Sequence, residues 1–169
     1  GISNHQGKIT KRESELILDS AREIGIDLLD TAVGYGDSES SLGCAGVADF
    51  QVVTKLPASF GAMQSLNQWF DTNLSGSLNR LQTSSVYGLL LHRSDQLHQH
   101  NAAEMEVAIN KAKQAGKITK FGVSIYDPSE LEIVTKLIDV DIVQAPFNIF
   151  DRRLETTGWL QKLYDNGVE

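Results

Sequence analysis

The chain has 169 residues, of which 41% are hydrophobic and 22% charged, values that are typical of a soluble globular domain. Its 22 acidic residues outnumber its 15 basic ones, and the formal net charge of -7 argues against a nucleic-acid partner. No apolar stretch approaches the roughly 20 residues that cross a bilayer, so we expect no membrane partner.

Cysteine content and the first residues bear on the cellular compartment. Cys44 is the only cysteine, which excludes a disulfide framework and a cysteine-based metal site within these residues. We interpret it as a small packing residue, because no base is paired with it. Residues 1–5 lack the basic start and apolar run of a signal peptide. These features together favour the reducing cytoplasm.

The first elements in chain order are a helix and a strand. Thr10 and Glu13 have the spacing of a capping box, and apolar residues then recur at helical intervals until Gly25 stops the helix. A short apolar run follows and ends at Asp30. This part of the chain is therefore a helix-then-strand unit.

The same unit recurs along the chain. Further helices are predicted over residues 37–43, 66–81, 102–115, 127–137 and 154–164. The strands between them end at Lys55, His92, Ser124 and Gln144. Continuous apolar strands that alternate with helices predict a parallel sheet covered by helices. We expect five strands and six helices in a single domain over residues 1–169.

Two α/β architectures contain such a sheet. A doubly wound open sheet that binds a dinucleotide needs a third glycine after Gly34 and Gly36, but Glu39 occupies that position. A (β/α)8 TIM barrel instead places reactive residues at the C-terminal ends of several strands. A polar residue at one strand end is common for structural reasons, whereas five in succession favour a shared site. The sequence therefore predicts part of a TIM barrel, with these side chains converging at its mouth.

Tyr35 adds a chemical meaning to the strand-end residues. It lies five positions after Asp30, in the loop that leaves the same strand. A phenol, with a pKa of about 10, is a poor acid at neutral pH unless a neighbouring ammonium such as Lys55 stabilises the phenolate. A carboxylate would hold that ammonium in place, and a neutral His92 would donate a hydrogen bond to a carbonyl oxygen. These groups suffice to protonate an oxygen while hydride arrives at carbon.

Five segments carry a resemblance to a known family: residues 28–39 (LLDTAVGYGDSE), 53–55 (VTK), 89–92 (LLLH), 122–124 (GVS) and 143–148 (VQAPFN). In this order they resemble the aldo-keto reductase superfamily over nearly the whole chain. The resemblance implies a barrel enzyme that moves hydride between NADP(H) and a small-molecule carbonyl compound.

The resemblance also assigns a role to each residue. Tyr35 is implied as the general acid, assisted by Lys55 and Asp30, while His92 orients the carbonyl. Asp30, Ser124 and Gln144 are implied to bind the cofactor, the last two through the nicotinamide carboxamide. Many family members have asparagine directly after that serine, where this chain has Ile125.

A complete barrel has eight strands and about 250 residues. Measured against the family, the chain lacks the first strand and the last two strand–helix units, which normally supply much of the cofactor grip. We therefore expect these 169 residues to be part of a longer protein and to bind NADPH poorly by themselves.

Other functions remain open at this point. Lys55 is also a candidate Schiff-base nucleophile of a barrel aldolase, although an adjacent Asp30 opposes that role because the nucleophile must be uncharged. A third hypothesis is a non-catalytic cofactor-binding relative. His98 and His100 lie in a polar run that we interpret as a solvated loop, and no metal site is predicted there. No feature of the sequence indicates the specific substrate or the oligomeric state.

Overall fold

The computed structural model describes residues 9–59, 65–99 and 102–169, with backbone only for residues 98 and 99. The strands are β1 Leu28–Asp30, β2 Gln51–Leu56, β3 Val86–Leu91, β4 Ile118–Ser124 and β5 Ile142–Gln144. The helices are α1 Lys11–Glu23, α2 Ser38–Ala45, α3 Leu66–Leu81, α4 Gln96–Gln99, α5 Ala102–Gln114, α6 Leu131–Leu137, α7 Arg153–Thr156 and α8 Trp159–Asp165. Across these ranges, no helix combines the length and the apolar character needed to span a membrane.

The five strands form one parallel sheet in the order β1-β2-β3-β4-β5. Each strand pairs with the next one along the chain, and helices lie between them in sequence. The sheet curls into a half-barrel, so the α/β TIM-barrel prediction is confirmed, incomplete in this chain as expected. Parallel strands of this kind bring their carboxyl ends to one rim, where a barrel carries its functional loops.

The strand register shows which side chains share the inner face. Asp30 pairs with Val53, and Lys55, two residues further along β2, pairs with Leu90 of β3. Ser124 pairs with Gln144 at the ends of β4 and β5. Residues two apart on a strand point to the same face, so the four polar strand-end residues of β1, β2, β4 and β5 lie on one face of the sheet.

The apolar core lies between the sheet and the helices. The predicted stripe of α3 is buried throughout, with exposed fractions of 8% or less at Leu66, Phe70, Leu74, Leu78 and Leu81. Burying a side chain of this size contributes roughly 1.5–3 kcal/mol. Helix α3 therefore anchors the helical layer against the sheet at β2.

The predicted helix boundaries are confirmed where their signals were local. Thr10 and Glu13 form the capping box of α1, and Gly25, just beyond the helix, has a φ of +79°. Asp127 caps the next predicted start, which opens as a 3₁₀ turn, Pro128–Glu130, before α6. These signals act within a few residues, so they can be recognised in the sequence alone.

Three local expectations were wrong. The helix predicted over residues 154–164 is two helices, α7 and α8, because Gly158 has a φ of +78° that a helix cannot contain. The polar run after residue 95 begins as helix α4 rather than a loop, since Gln96 and Leu97 are buried. Cys44 is exposed instead of packed. Helix α2 buries the face that carries Glu39 and Gly43, and Cys44 lies outside that face.

Two expectations fall on parts of the chain that the structure does not describe. Residues 1–5, which carry the signal-peptide argument, precede the described range, and His100 lies between two described ranges. The side chain of His98 is also outside the description. The interpretation of both histidines as solvated residues therefore stays a prediction.

Candidate active site

Lys55 stands at the centre of the candidate site. Its side chain is 1% exposed, and its Nζ donates to Asp30 Oδ1 at 2.6 Å and to the carbonyl oxygen of Thr31 at 3.0 Å. A buried ammonium without partners would cost several kcal/mol, which these two acceptors offset. The side chain of Asp30 is 37% exposed, so the pair connects the buried strand end to the rim of the barrel.

Tyr35 lies in the loop between β1 and α2. The backbone of this loop continues the pairing with β2, because Thr31 N donates to Val53 O at 2.9 Å and Val33 N donates to Lys55 O at 3.1 Å. Tyr35 N then donates to Ala32 O in a turn. As a result the Lys55 Nζ lies 5.1 Å from the centroid of the Tyr35 ring, within cation–π range.

His92 follows β3, and its ring contacts the ring of Tyr35. Its ring and that of Tyr35 are 5.7 Å apart at their centroids and meet edge to face at 84°. Burial, and then the positive charge of Lys55, lower the pKa of His92 below its usual value of 6.5. The imidazole is therefore neutral at neutral pH, with one nitrogen that donates and one that accepts a hydrogen bond.

A cavity of about 500 Å³ opens beside His92. It is lined by Gly34, Pro57, Ala58, Ser59, His92, Arg93 and Asp95. Arg93 and Asp95 form an exposed ion pair with a 2.9 Å contact, so their charges balance at the cavity edge. The space suits a small polar molecule whose reacting group points at His92.

Ser124 and Gln144 lie further round the rim, opposite each other in the register. Both are half-buried, and neither side chain has a hydrogen-bond partner among the residues that the structure describes. A hydroxyl and a primary amide with free donors and acceptors fit the two ends of a carboxamide. Ile125, which is 2% exposed and packs in the core, adds no polar group there.

The structure thus brings the sequence-predicted residues together in two sets. Asp30, Tyr35, Lys55 and His92 form one connected cluster. Ser124 and Gln144 make no hydrogen bond or ring contact with that cluster in the described structure. A molecule that engages both sets must therefore reach across the rim.

A family model described as Aldo/keto reductase family matches residues 1–169. The chain belongs to the aldo/keto reductase family. The cluster at the rim thus lies in a chain that belongs to a family of oxidoreductases.

The curated relatives are distant in sequence but match along most of the chain. An uncharacterised oxidoreductase of Bacillus subtilis, YqkF, is 27% identical over 175 residues, which cover 94% of this chain and 54% of the relative. An L-glyceraldehyde 3-phosphate reductase of Escherichia coli is 27% identical over 190 residues, covering 99% of this chain and 54% of the relative. The chain spans about half the length of the curated relatives it matches.

Solved structures show the same extent of similarity. The holo form of an aldo-keto reductase from Bacillus halodurans superposes with a TM-score of 0.81 at 25% identity, over 96% of this chain and 57% of that one. A glycerol dehydrogenase from Gluconobacter oxydans superposes with a TM-score of 0.76 over 96% and 53%, at 23% identity. The backbone arc is therefore that of an aldo-keto reductase barrel.

Sequence reasoning missed several residues that support the cluster. The Thr31 carbonyl accepts from Lys55, and a backbone group carries no residue-type signal. Gln96, 1% exposed, donates to Pro57 O at 3.0 Å and accepts from Arg93 N at 3.0 Å, so it joins two walls of the cavity. In the sequence Glu39 stands in the place of a glycine of the dinucleotide fingerprint, and its position four residues after Tyr35 is the signal that the sequence offers.

Proposed function

We propose that the protein is an NADP(H)-dependent oxidoreductase that reduces an aldehyde or ketone to an alcohol, or catalyses the reverse reaction. The observation that carries this proposal is the contact of Lys55 and His92 with the one ring of Tyr35, beside a cavity that admits a small molecule. Family membership supports the same conclusion independently.

Each residue of the cluster has a defined task in this proposal. Neutral His92 donates a hydrogen bond to the carbonyl oxygen and orients it, and the Tyr35 hydroxyl then delivers a proton to that oxygen. The ammonium of Lys55 stabilises the phenolate that remains, and Asp30 holds the ammonium at 2.6 Å. Together they stabilise the charge that develops on oxygen during reduction.

Ser124 and Gln144 are the proposed cofactor contacts, together with Asp30. Within the described part of the chain their polar groups have no hydrogen-bond partner and fit a nicotinamide carboxamide, and the cofactor, when bound, would supply the hydride. Ile125 has no polar side-chain group, so in this proposal only Ser124 and Gln144 bind the carboxamide. Measuring turnover with NADPH and with NADH would test the preference for the phosphorylated cofactor.

The Schiff-base alternative is less compatible with the geometry. A nucleophilic lysine must present a neutral amine to its substrate, whereas the two acceptors at Lys55 Nζ suit an ammonium that donates. Borohydride treatment with carbonyl substrates separates the two functions. We expect no covalent adduct on Lys55, and a trapped adduct there would favour the lyase.

Tyr35→Phe is the direct test of the reductase. In the full-length protein the variant keeps the ring contacts and loses the proton donor, so we expect kcat to fall by about 10²-fold or more. NADPH oxidation with a panel of aldehydes, ketones and sugars measures turnover, and fluorescence titration measures retained cofactor binding. Tyr164→Phe, at a tyrosine that is 78% exposed, is the matched control and should keep full activity. Unchanged turnover in Tyr35→Phe would refute the role of Tyr35.

A further inference from the structure

Glu39 of α2 is a buried carboxylate outside the proposed catalytic cluster. Its side chain is 1% exposed, and among the charged residues of the described ranges only Lys55 is buried to the same degree. Removing a carboxylate from water is costly unless both of its oxygens find partners. The partners of this carboxylate therefore indicate which elements of the fold it holds together.

Both oxygens of Glu39 are used. Oε1 accepts from Thr54 Oγ1 at 2.6 Å, and Oε2 accepts from Arg80 Nε at 2.7 Å. Thr54 belongs to β2 and is fully buried, while Arg80 belongs to α3. The carboxylate thus joins α2 to a strand and to a second helix at once.

The strand contact leads directly to the candidate site. Thr54 immediately precedes Lys55, and successive side chains on a strand point to opposite faces. Glu39 therefore holds β2 from the helical side at the point where Lys55 projects to the inner side. A shift of Thr54 would move Lys55 with it.

The helix contact leads to Tyr35. Helix α2 begins three residues after Tyr35, and Ser38 N donates to Tyr35 O at 3.2 Å. The hydroxyls of Thr31 and Ser38 also bond to each other at 3.0 Å, which closes the two ends of the Tyr35 loop. Anchoring α2 therefore anchors the loop that carries Tyr35.

We propose that Glu39 is a positioning residue for proton transfer, which fixes the separation of Tyr35 and Lys55 by joining α2 to β2 behind the sheet. This inference rests on the proposed function of Tyr35. Glu39 touches neither residue, and it acts through the backbone of the loop and of the strand. The groups that surround Tyr35 on the site side are Lys55 and His92, with Asp30 paired to Lys55.

Glu39→Gln in the full-length protein tests the proposal. The substitution keeps the size of the side chain, but it removes the charge and leaves one acceptor oxygen for the two donors, Thr54 Oγ1 and Arg80 Nε, so the link to β2 is weakened. We expect kcat to fall about tenfold, with the KM for the carbonyl substrate changed by less than about twofold. The alkaline limb of the kcat profile should also move to higher pH, because the ammonium of Lys55 is held less closely to Tyr35.

Thr54→Val is the second variant, since it removes only the hydroxyl that meets Glu39 and preserves the shape of the side chain. It should change kcat and the pH profile in the same direction, and the double variant should lose little more than Glu39→Gln alone. Asp49→Asn is the matched control, because Asp49 forms an exposed ion pair with Arg22 at 2.6 Å. That variant should leave both readouts unchanged.

Two results would overturn the proposal. One is a folded, cofactor-binding Thr54→Val or Glu39→Gln protein with unchanged kcat and pH profile. The other is a loss of activity that only follows the loss of folded protein, with the pH profile of the remaining activity unchanged. Failure of the proposed function gives different results. In that case the wild-type protein would reduce no carbonyl compound, or the turnover of Tyr35→Phe would equal that of the wild type.

Discussion

At the scale of single residues, His92 shows how the surroundings decide the chemistry of a side chain. A histidine at a strand end is visible in the sequence, but its protonation state is not. Burial and the charge of Lys55 both lower its pKa below 6.5. Asp30 opposes this effect, and Arg93 adds to it. Tertiary contacts thus favour the neutral imidazole that the proposed reaction needs.

Lys55→Met should raise the pKa of His92 toward its usual value. The substitution removes one of the two main causes of the lowered pKa and leaves Asp30, which raises it, without its partner. NMR titration of the imidazole measures the change, and Lys162→Met on α8 is a control that should not alter it. A pKa that stays the same or falls in Lys55→Met would contradict this explanation.

The same pKa predicts the sign of a stability change. Between the lowered pKa of folded His92 and 6.5, the unfolded chain binds the proton and the folded protein does not. The contribution of His92 is therefore fully present above 6.5 and is lost as the pH falls through the folded-state pKa. Urea unfolding across this range should show a smaller pH dependence in His92→Gln than in the wild type. An equal dependence would show that His92 makes no such contribution.

At the scale of elements, the packing of α2 on α3 depends on a residue without a side chain. A Cβ atom on Gly43 would lie 2.2 Å from the carbonyl oxygen of Arg80, so the two helix backbones approach each other directly. This close approach places Glu39 within reach of Arg80. The sequence contains Gly43 near a helix end, where it reads equally well as a stop signal.

Gly43→Ala should therefore destabilise the protein by about 1–3 kcal/mol, because the added methyl group meets backbone that cannot move aside. Gly76→Ala is the control within α3, where the added Cβ meets only the flexible end of Arg80 at 3.0 Å. Alanine is the better helix former, so this control should be neutral or stabilising. Urea unfolding measures both variants, and equal destabilisation would argue against the close packing.

At the scale of the whole molecule, the half-barrel has an apolar flank. Within the described residues β1 has β2 as its sole strand neighbour. Exposed apolar side chains lie on α1, in the segment that follows it and at the start of β1: Leu16, Ile17, Ile24, Ile26 and Leu28. On the opposite flank Glu169 N donates to Asp141 O, and Val143 N donates to Glu169 O. The backbone of Glu169 therefore pairs with the outer edge of β5. Open strands and apolar flanks favour association.

The isolated 169-residue chain should therefore self-associate. Sedimentation velocity over a range of concentrations should show species larger than the 18.6 kDa monomer. Ile17→Lys combined with Ile24→Lys should reduce association, since Ile17 lies on α1, Ile24 directly follows it, and both side chains are more than half exposed. Val107→Lys, at an exposed position of α5, is the control and should not change it. A chain that remains monomeric at all concentrations would contradict this expectation.

The sequence alone determined the order of the elements, the parallel sheet and the positions of the polar strand ends. These follow from capping residues, glycines and apolar periodicity, which act over a few residues and can be recognised in the sequence without knowledge of the fold. The same short-range patterns did not predict the break at Gly158 or the exposure of Cys44. Both depend on what packs against the helix concerned.

Only the tertiary structure decided how Asp30, Tyr35, Lys55 and His92 meet, and that Glu39 reaches Thr54 and Arg80. These contacts join residues 15 to 41 positions apart for Glu39 and 25 apart for the Asp30–Lys55 pair. Their geometry depends on the twist of the sheet, the close approach at Gly43 and the burial of each charge. None of these is a property of a residue type or of a local pattern.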